Sequence, residues 1–229
     1  MHRTPTFAIS MMCMDMLSLR PQLLSLNQRA HLYHVDIMDG HFAPNITLSP
    51  DFIRSVSSLA TLPIEAHLMT TNPDRWIDAV AQAGASIISP HAETINVHAF
   101  RTFSHIRSLG CQTGVTLNPA TPLSEVEYYL DCIDLLTLMT VDVGYAGQAF
   151  IEPMLRKIEQ AREWKEKHAY PYRIQVDGAC NAHTYRRLWD AGAEVFVMGS
   201  SGLFSLNSDI EAAYDRMLTD FGNATGVKL

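Results

Sequence analysis

His34-Val35-Asp36-Ile37-Met38-Asp39-Gly40-His41-Phe42-Ala43-Pro44-Asn45 is the stretch on which the fold turns. Its first half reads as a β-strand, and Gly40 and Pro44 punctuate its end. Side chains two apart on a strand share a side, so His34 and Asp36 point one way and Val35 and Ile37 the other. An ionisable face backed by an apolar face suits the wall of a barrel. The ionisable pair then sits inside, at a strand's C-terminal end, where barrel active sites form. Taken alone, the pair fits a purely structural hydrogen-bonded His–Asp unit equally well.

Outward from this stretch, short apolar runs recur in both directions. Strands are expected near Thr6–Ser10, His31–Ile37, Pro63–His67, Ser86–Pro90, Gln112–Thr116, Leu135–Met139, Tyr172–Val176 and Val195–Met198, each followed by a helix-length segment. Eight strands in 229 residues is about 29 residues per unit, near the repeat of a (β/α)8 TIM barrel. The reading is an α/β chain forming one (β/α)8 barrel domain over residues 1–229, since no linker or low-complexity stretch divides it. Asn72-Pro73 and Thr121-Pro122 read as N-cap and first-turn pairs for helices over Asp74–Gln82 and Leu123–Leu130. Gly84 and Gly192 each sit in an Ala-Gly-Ala tripeptide before a strand and suit left-handed helix ends. An open doubly wound sheet would use the same punctuation.

Composition narrows the function. The chain carries 24 acidic against 17 basic residues, a formal net charge of −7, which argues against a nucleic-acid or anionic-membrane binder. No apolar stretch is long enough to span a bilayer, and residues 1–10 lack a signal-peptide core. Four scattered cysteines without a CxxC pair suit a reduced, cytoplasmic protein.

Three strand ends supply ionisable groups: His34 and Asp36, then His67, then Asp177. Two histidines and two carboxylates compose a divalent-metal site. Two carboxylates buried together without a cation would raise one another's pKa. Asp36 and Asp177 come from strands far apart around a barrel, so they could flank a substrate as two acid/base groups. That arrangement suits inversion of a carbon next to a carbonyl. An ion on the neighbouring oxygens would stabilise the enediolate between the two proton transfers. Asp142–Gln148, Gly178-Ala179 and Gly199–Gly202 follow strands six, seven and eight. Their small residues let backbone N–H groups approach a phosphate. Met38, Met69 and Met139 fall at strand ends and are either core filler or a polarisable site lining. His91 with Glu93 has the look of a second metal pair but reads better as a local loop hydrogen bond. Cys13 and Cys180 read as small buried side chains, and Arg156–Lys167 as a solvated helix face.

At these residues the chain resembles the ribulose-phosphate 3-epimerase family. The likeness rests on His34 to Asn45, His67-Leu-Met69, Met139-Thr-Val-Asp142, Gly144-Tyr-Ala-Gly-Gln148, Val176-Asp-Gly178 and Gly199-Ser200. Within the family it is most similar to the branch acting on D-allulose 6-phosphate. That likeness rests on Met12-Cys-Met-Asp15, Thr47-Leu-Ser-Pro50 and Glu93-Thr-Ile-Asn96. The resemblance implies reversible C3 epimerisation of a ketose phosphate. It implies one divalent ion on His34, Asp36, His67 and Asp177, with Asp36 and Asp177 as the acid/base pair. Zn is the favoured ion, with Mn, Co and Fe(II) open. It places Ser10, His67, Met38, Met69 and Met139 against the substrate. Gly144, Tyr145, Ala146, Gly147, Gly178, Ala179, Gly199, Ser200 and Ser201 line its phosphate end. A homo-oligomer is the family habit.

Three positions depart from the family pattern: Val143 and Ile9 stand where Pro is usual, and Ala179 where Gly or Ser is usual. Val143 lacks proline's restraint on φ and would loosen the loop. The Ala179 methyl matters if that backbone needs a positive φ. The expected activity is interconversion of D-allulose 6-phosphate and D-fructose 6-phosphate. The alternatives are the same reaction on D-ribulose 5-phosphate, a metal-dependent aldolase, and a non-catalytic sugar-phosphate binder.

Overall fold

The computed structural model describes residues 3–229. Its eight strands are β1 (Thr6–Ser10), β2 (Leu32–Met38), β3 (Ile64–Met69), β4 (Ile87–Pro90), β5 (Gln112–Leu117), β6 (Leu135–Met139), β7 (Arg173–Asp177) and β8 (Val195–Met198). They pair in parallel, each with the next, and β8 closes on β1. All eight expected strands are present. Helices α1 (Leu19–Leu26), α2 (Pro50–Ser57), α3 (Asp74–Ala83), α4 (Ala92–Ile95), α5 (Ala99–Ser108), α6 (Met154–His168), α7 (Tyr185–Ala191) and α8 (Ile210–Thr225) fill the connections. This is a (β/α)8 barrel.

Alternation along each strand sorts the side chains into two cores. Outward-facing Val35, Ile37, Ala66, Leu68, Ile88, Val115 and Leu136 are buried in the layer shared with the helices. The inward set begins with an apolar floor of Ala8, Leu32, Leu135, Val195 and Val197, a small separate cluster. Above the floor the interior turns polar. His34, Glu65, Ser89, Thr137 and Gln175 all have no exposed surface. Register then sets the next layer, because Ser10 pairs with His34 and Asp36 with His67, while Met139 pairs with Asp177.

Helix ends follow the sequence in part. Gly84 and Gly192 close α3 and α7 with φ of +116° and +128°, as their tripeptides predict. Neither expected N-cap forms. The residue at each cap position is the proline, Pro73 or Pro122, without a side-chain cap bond. Thr121 instead donates to Glu93. The second expected helix is a 3-10 segment, Leu123–Cys132, interrupted at Tyr129. The Arg156–Lys167 run lies on α6, which buries only Met154, Ile158 and Ala161.

Candidate active site

The C-terminal mouth of the barrel opens into a cleft. Asp36 and Asp177 reach it from β2 and β7, Met38, Met69 and Met139 line its sides, and Ser10 lies on its wall. Gly144, Tyr145, Ala146 and Gly147 lie along it on the loop after β6. Gly178 and Ala179, then Gly199, Ser200 and Ser201, line it from the loops after β7 and β8. Every residue expected at the substrate therefore lines one cleft, apart from His67. That ring has no exposed surface and sits behind the wall with His34.

Ligand atoms of His34, Asp36, His67 and Asp177 all lie within 4.8 Å of one another. His34 Nε2 is 3.2 Å from Asp36 Oδ1 and 3.2 Å from His67 Nδ1. His67 Nδ1 is 3.2 Å from the same carboxylate oxygen. Asp177 Oδ2 stands 3.5 Å from His34 Nε2 and 3.8 Å from His67 Nδ1. A tetrahedral ion with bonds of about 2.0–2.2 Å separates its ligands by about 3.3–3.6 Å. The five separations bracket that range. Asp36 and Asp177 come from strands well apart around the barrel, as expected, and their side chains meet across its interior. The interior of an eight-stranded barrel is only as wide as its side chains.

Hydrogen bonds fix which lone pairs face the centre. His34 Nδ1 is 2.7 Å from Glu65 Oε2, so the network assigns the proton to Nδ1 and turns the Nε2 lone pair inward. Glu65 also accepts from Ser89 Oγ at 2.7 Å and from Gln175 Nε2 at 2.9 and 3.1 Å. Two imidazole lone pairs and two carboxylates meeting at one buried point make a site for a cation. Among the described residues this is the one group of three or more such side chains with metal-ligand geometry. The His/Asp cluster fits a divalent ion.

Electrostatics follow from the same contacts. Burial opposes charge on His34, but Glu65 and Asp36 outweigh it and hold the imidazole well above the usual histidine range. Burial likewise works against the Asp36 charge, and His34 and His67 overcome it, holding the carboxyl well below its usual range. In the ion-free protein a proton on His34 thus supplies the positive charge. Its contribution to stability is complete below about pH 6.5 and is lost as pH rises through the raised folded value. Ion binding has the opposite dependence, because it needs the Nε2 lone pair and expels that proton. Zinc binding at pH 7 is expected to release protons, read by calorimetry in buffers of different ionisation enthalpy. Equal apparent enthalpies in all buffers would contradict this.

Two loops fold over the cluster. Asn45 Nδ2 donates to the Gly144 carbonyl at 2.8 Å, and the Tyr145 hydroxyl donates to the Pro44 carbonyl. Val143 packs on the Met38, Ala43 and Met69 cluster. These ties hold the loop that Val143, in place of proline, is expected to loosen. Ala179 has φ of +48°, so its methyl does sit in a left-handed backbone. Ala179→Gly is expected to stabilise the protein by about 0.5–1 kcal/mol. A lower urea midpoint in the glycine variant would contradict the strain.

Sequence reading missed the groups behind the ligands. Glu65, Ser89 and Gln175 were not singled out, although Glu65 and Gln175 stand two residues before His67 and Asp177 on the same strand faces. His91 was read as a local loop residue paired with Glu93. It does approach Glu93, at 3.3 Å, but its other nitrogen lies 2.9 Å from His67 Nε2. Burial holds the His91 pKa down at about 4, against the pull of Glu93. Cys180 is buried as expected, whereas Cys13 is only half-buried and lines the cleft beside Ser10.

The ribulose-phosphate 3 epimerase family model matches residues 6–204. A Bacillus subtilis ribulose-phosphate 3-epimerase is 43% identical over 173 residues, 75% of this chain and 79% of that enzyme. The Escherichia coli K12 enzyme of the same name is 39% identical over 173 residues, 75% of this chain and 76% of that enzyme. Among solved structures, a 3-hexulose-6-phosphate synthase superposes with a TM-score of 0.69 at 12% identity, covering 96% of this chain and 99% of that one. The tryptophan synthase α-subunit of Pyrococcus furiosus gives 0.65 at 15%, covering 99% and 100%; at such identities the likeness is one of fold. With its barrel, its cluster of two histidines and two aspartates and these relatives together, the chain belongs to the ribulose-phosphate 3-epimerase family.

Proposed function

We propose that this chain epimerises a ketose phosphate at C3, using Asp36 and Asp177 as its two acid/base groups. The observation that carries the reading is the convergence of both carboxylates on one buried cation site at the floor of the cleft. Asp177 is the more accessible, with 16% of its side chain exposed. Asp36 holds its second oxygen 3.1 Å from the Ser10 hydroxyl, which donates to it. Each carboxylate thus turns one oxygen to the cluster while its side chain borders the cleft, within reach of a proton on bound sugar. A divalent ion held by His34, Asp36, His67 and Asp177 supplies charge that offsets the negative charge developing on the substrate oxygens. The methionines exclude water from the reacting carbon, and the glycine-rich loops after β6, β7 and β8 receive the phosphate.

The relatives favour D-ribulose 5-phosphate and D-xylulose 5-phosphate as the reacting pair, since those at 39–43% identity carry that enzyme's name. The six-carbon reading rests on its sequence motifs, two of which reach the site. Met12 and Cys13 from its motif lie on the cleft wall. Thr47, from its second motif, donates to the Asp36 carbonyl at 2.6 Å. One extra carbon is worth about 1–3 kcal/mol of discrimination, so both substrates should turn over at unequal rates. A reducing cytoplasmic setting suits the four free thiols.

The test follows C3 of each ketose phosphate by NMR in D2O, with ion-loaded and chelated protein. Ion-dependent deuterium incorporation with appearance of the C3 epimer supports the reading, and the kcat/KM ratio ranks the substrates. Carbon–carbon cleavage products would indicate an aldolase. No exchange on either substrate would leave a sugar-phosphate binder.

A further inference from the structure

The two histidines of the cluster are backed in different ways. His34 rests directly on a carboxylate, Glu65. His67 rests on a second imidazole. Its Nε2 is 2.9 Å from His91 Nε2, and His91 Nδ1 is 3.3 Å from Glu93 Oε2. The other oxygen of Glu93 accepts from the Asn118 backbone N–H at 2.9 Å and from the Thr121 hydroxyl. The loop bearing those donors is held in turn by Lys157, whose Nζ donates to the Asn118 and Pro119 carbonyls at 3.0 and 2.7 Å.

With both rings neutral, as a cation on His67 requires, one proton arrangement satisfies every member. Glu93 as a carboxylate can only accept, so His91 Nδ1 carries a proton and donates to it. The His91 imidazole then offers a lone pair at Nε2. His67 Nε2 must therefore carry a proton and donate to His91. That leaves the lone pair of His67 on Nδ1, the atom facing Asp36, Asp177 and His34. Packing fixes the orientation. The His67 and His91 rings meet edge to edge, with centroids 5.0 Å apart and 22° between planes, and Phe42 covers His91 at 4.5 Å. Neither imidazole has exposed surface, so no solvent competes for the shared proton.

We propose that His91 and Glu93 are positioning residues, which lock His67 into the tautomer and ring orientation that present Nδ1 to the ion. The inference rests on reading the His/Asp cluster as a divalent-metal site. Partners of this kind behind a metal-binding histidine typically contribute 10- to 100-fold in affinity. Here that support reaches through two side chains to the loop after β5.

The experiment measures Zn(II) affinity by competition with a chromophoric chelator, and the visible spectrum of Co(II), in the full chain without substrate. His91→Phe keeps the ring but removes the acceptor. It is expected to weaken Zn(II) by 10- to 100-fold and to shift the Co(II) bands, with the far-UV spectrum of the ion-free protein unchanged. His91→Gln offers a carbonyl oxygen to the same proton and is expected to restore affinity to within about threefold of wild type. Glu93→Gln should weaken binding on its own, yet add nothing to His91→Phe, because the line is already broken. If His91→Phe does not fold, the glutamine variants carry the test. Unchanged affinity and Co(II) bands in the His91 and Glu93 variants would overturn the proposal. So would additive losses in the double variant, or a failure of His91→Gln to recover. A wild-type chain that binds neither ion would overturn the metal-site reading and this inference with it.

Discussion

Asp177→Asn is expected to cut epimerase turnover by about 10³-fold while leaving the barrel folded. Asparagine keeps the shape but can neither take nor return a proton at neutral pH. Asp177 ends β7 with part of its side chain in the cleft and one oxygen 3.5 Å from His34 Nε2, so a carboxylate there serves both the cation site and the substrate. Asp36→Asn should cost a similar factor by another route. One Asp36 oxygen stands 3.2 Å from both ligand histidines, and the other accepts from Ser10. An amide must turn its NH2 either toward the cation or toward the serine hydroxyl. Inversion needs removal of a proton on one face and delivery on the other, so neither aspartate can replace its partner. Deuterium exchange at C3 without epimer formation in one variant would separate the two half-reactions. If either variant, shown to hold its ion, turned over at close to the wild-type rate, the two-aspartate scheme would be wrong.

What could be read in advance, and what could not, follows from the geometry of strands. The period of two puts His34 and Asp36 on one face without knowledge of any neighbour, and β2 then identifies itself as barrel wall. Strand number and the mouth loops follow from punctuation along the chain. The hydrogen bond from Gln175 to Glu65 depends instead on how β3 and β7 meet across the barrel, 110 residues apart in sequence. The same holds for His67 on β3 and His91 just past the end of β4, whose contact depends on ring rotation as well as register. A signal was nonetheless present. His34, Glu65, Ser89 and Gln175 each stand two residues before Asp36, His67, His91 and Asp177. The period that locates the upper layer therefore also predicts a polar layer beneath it. The failed N-caps at Asn72 and Thr121 are of another kind. Local propensity favoured them, and at Thr121 a tertiary contact, the bond to Glu93, claimed the side chain instead.

Glu65→Leu tests that lower layer, and a large loss of stability is expected. Glu65 has no exposed surface and accepts four hydrogen bonds, from His34, Ser89 and twice from Gln175. Burial alone would raise its pKa, but His34 and the amide and hydroxyl donors hold it below the usual range. Its stabilising contribution is therefore present above the unfolded value of about 4.3 and lost as pH falls through the folded one. At neutral pH, leucine would strand the imidazolium and two neutral donors in a dry interior. Removing one partner of a buried ionic network costs about 3–5 kcal/mol. Glu65→Gln should fall between, at about 1–3 kcal/mol, because its NH2 group faces donors where a carboxylate faced them as an acceptor. The space around this network is also filled. Gly114 stands beside Ser89 on β5, and a Cβ there would lie 2.0 Å from the serine Oγ, so Gly114→Ala should push Ser89 away from Glu65. Urea unfolding of the chelated protein at pH 7 ranks the variants. A Glu65→Leu protein within about 1 kcal/mol of wild type, with the same Zn(II) affinity, would show that His34 keeps its place without the carboxylate. An ordered loss, leucine beyond glutamine, would show that the polar layer anchors the ligand above it.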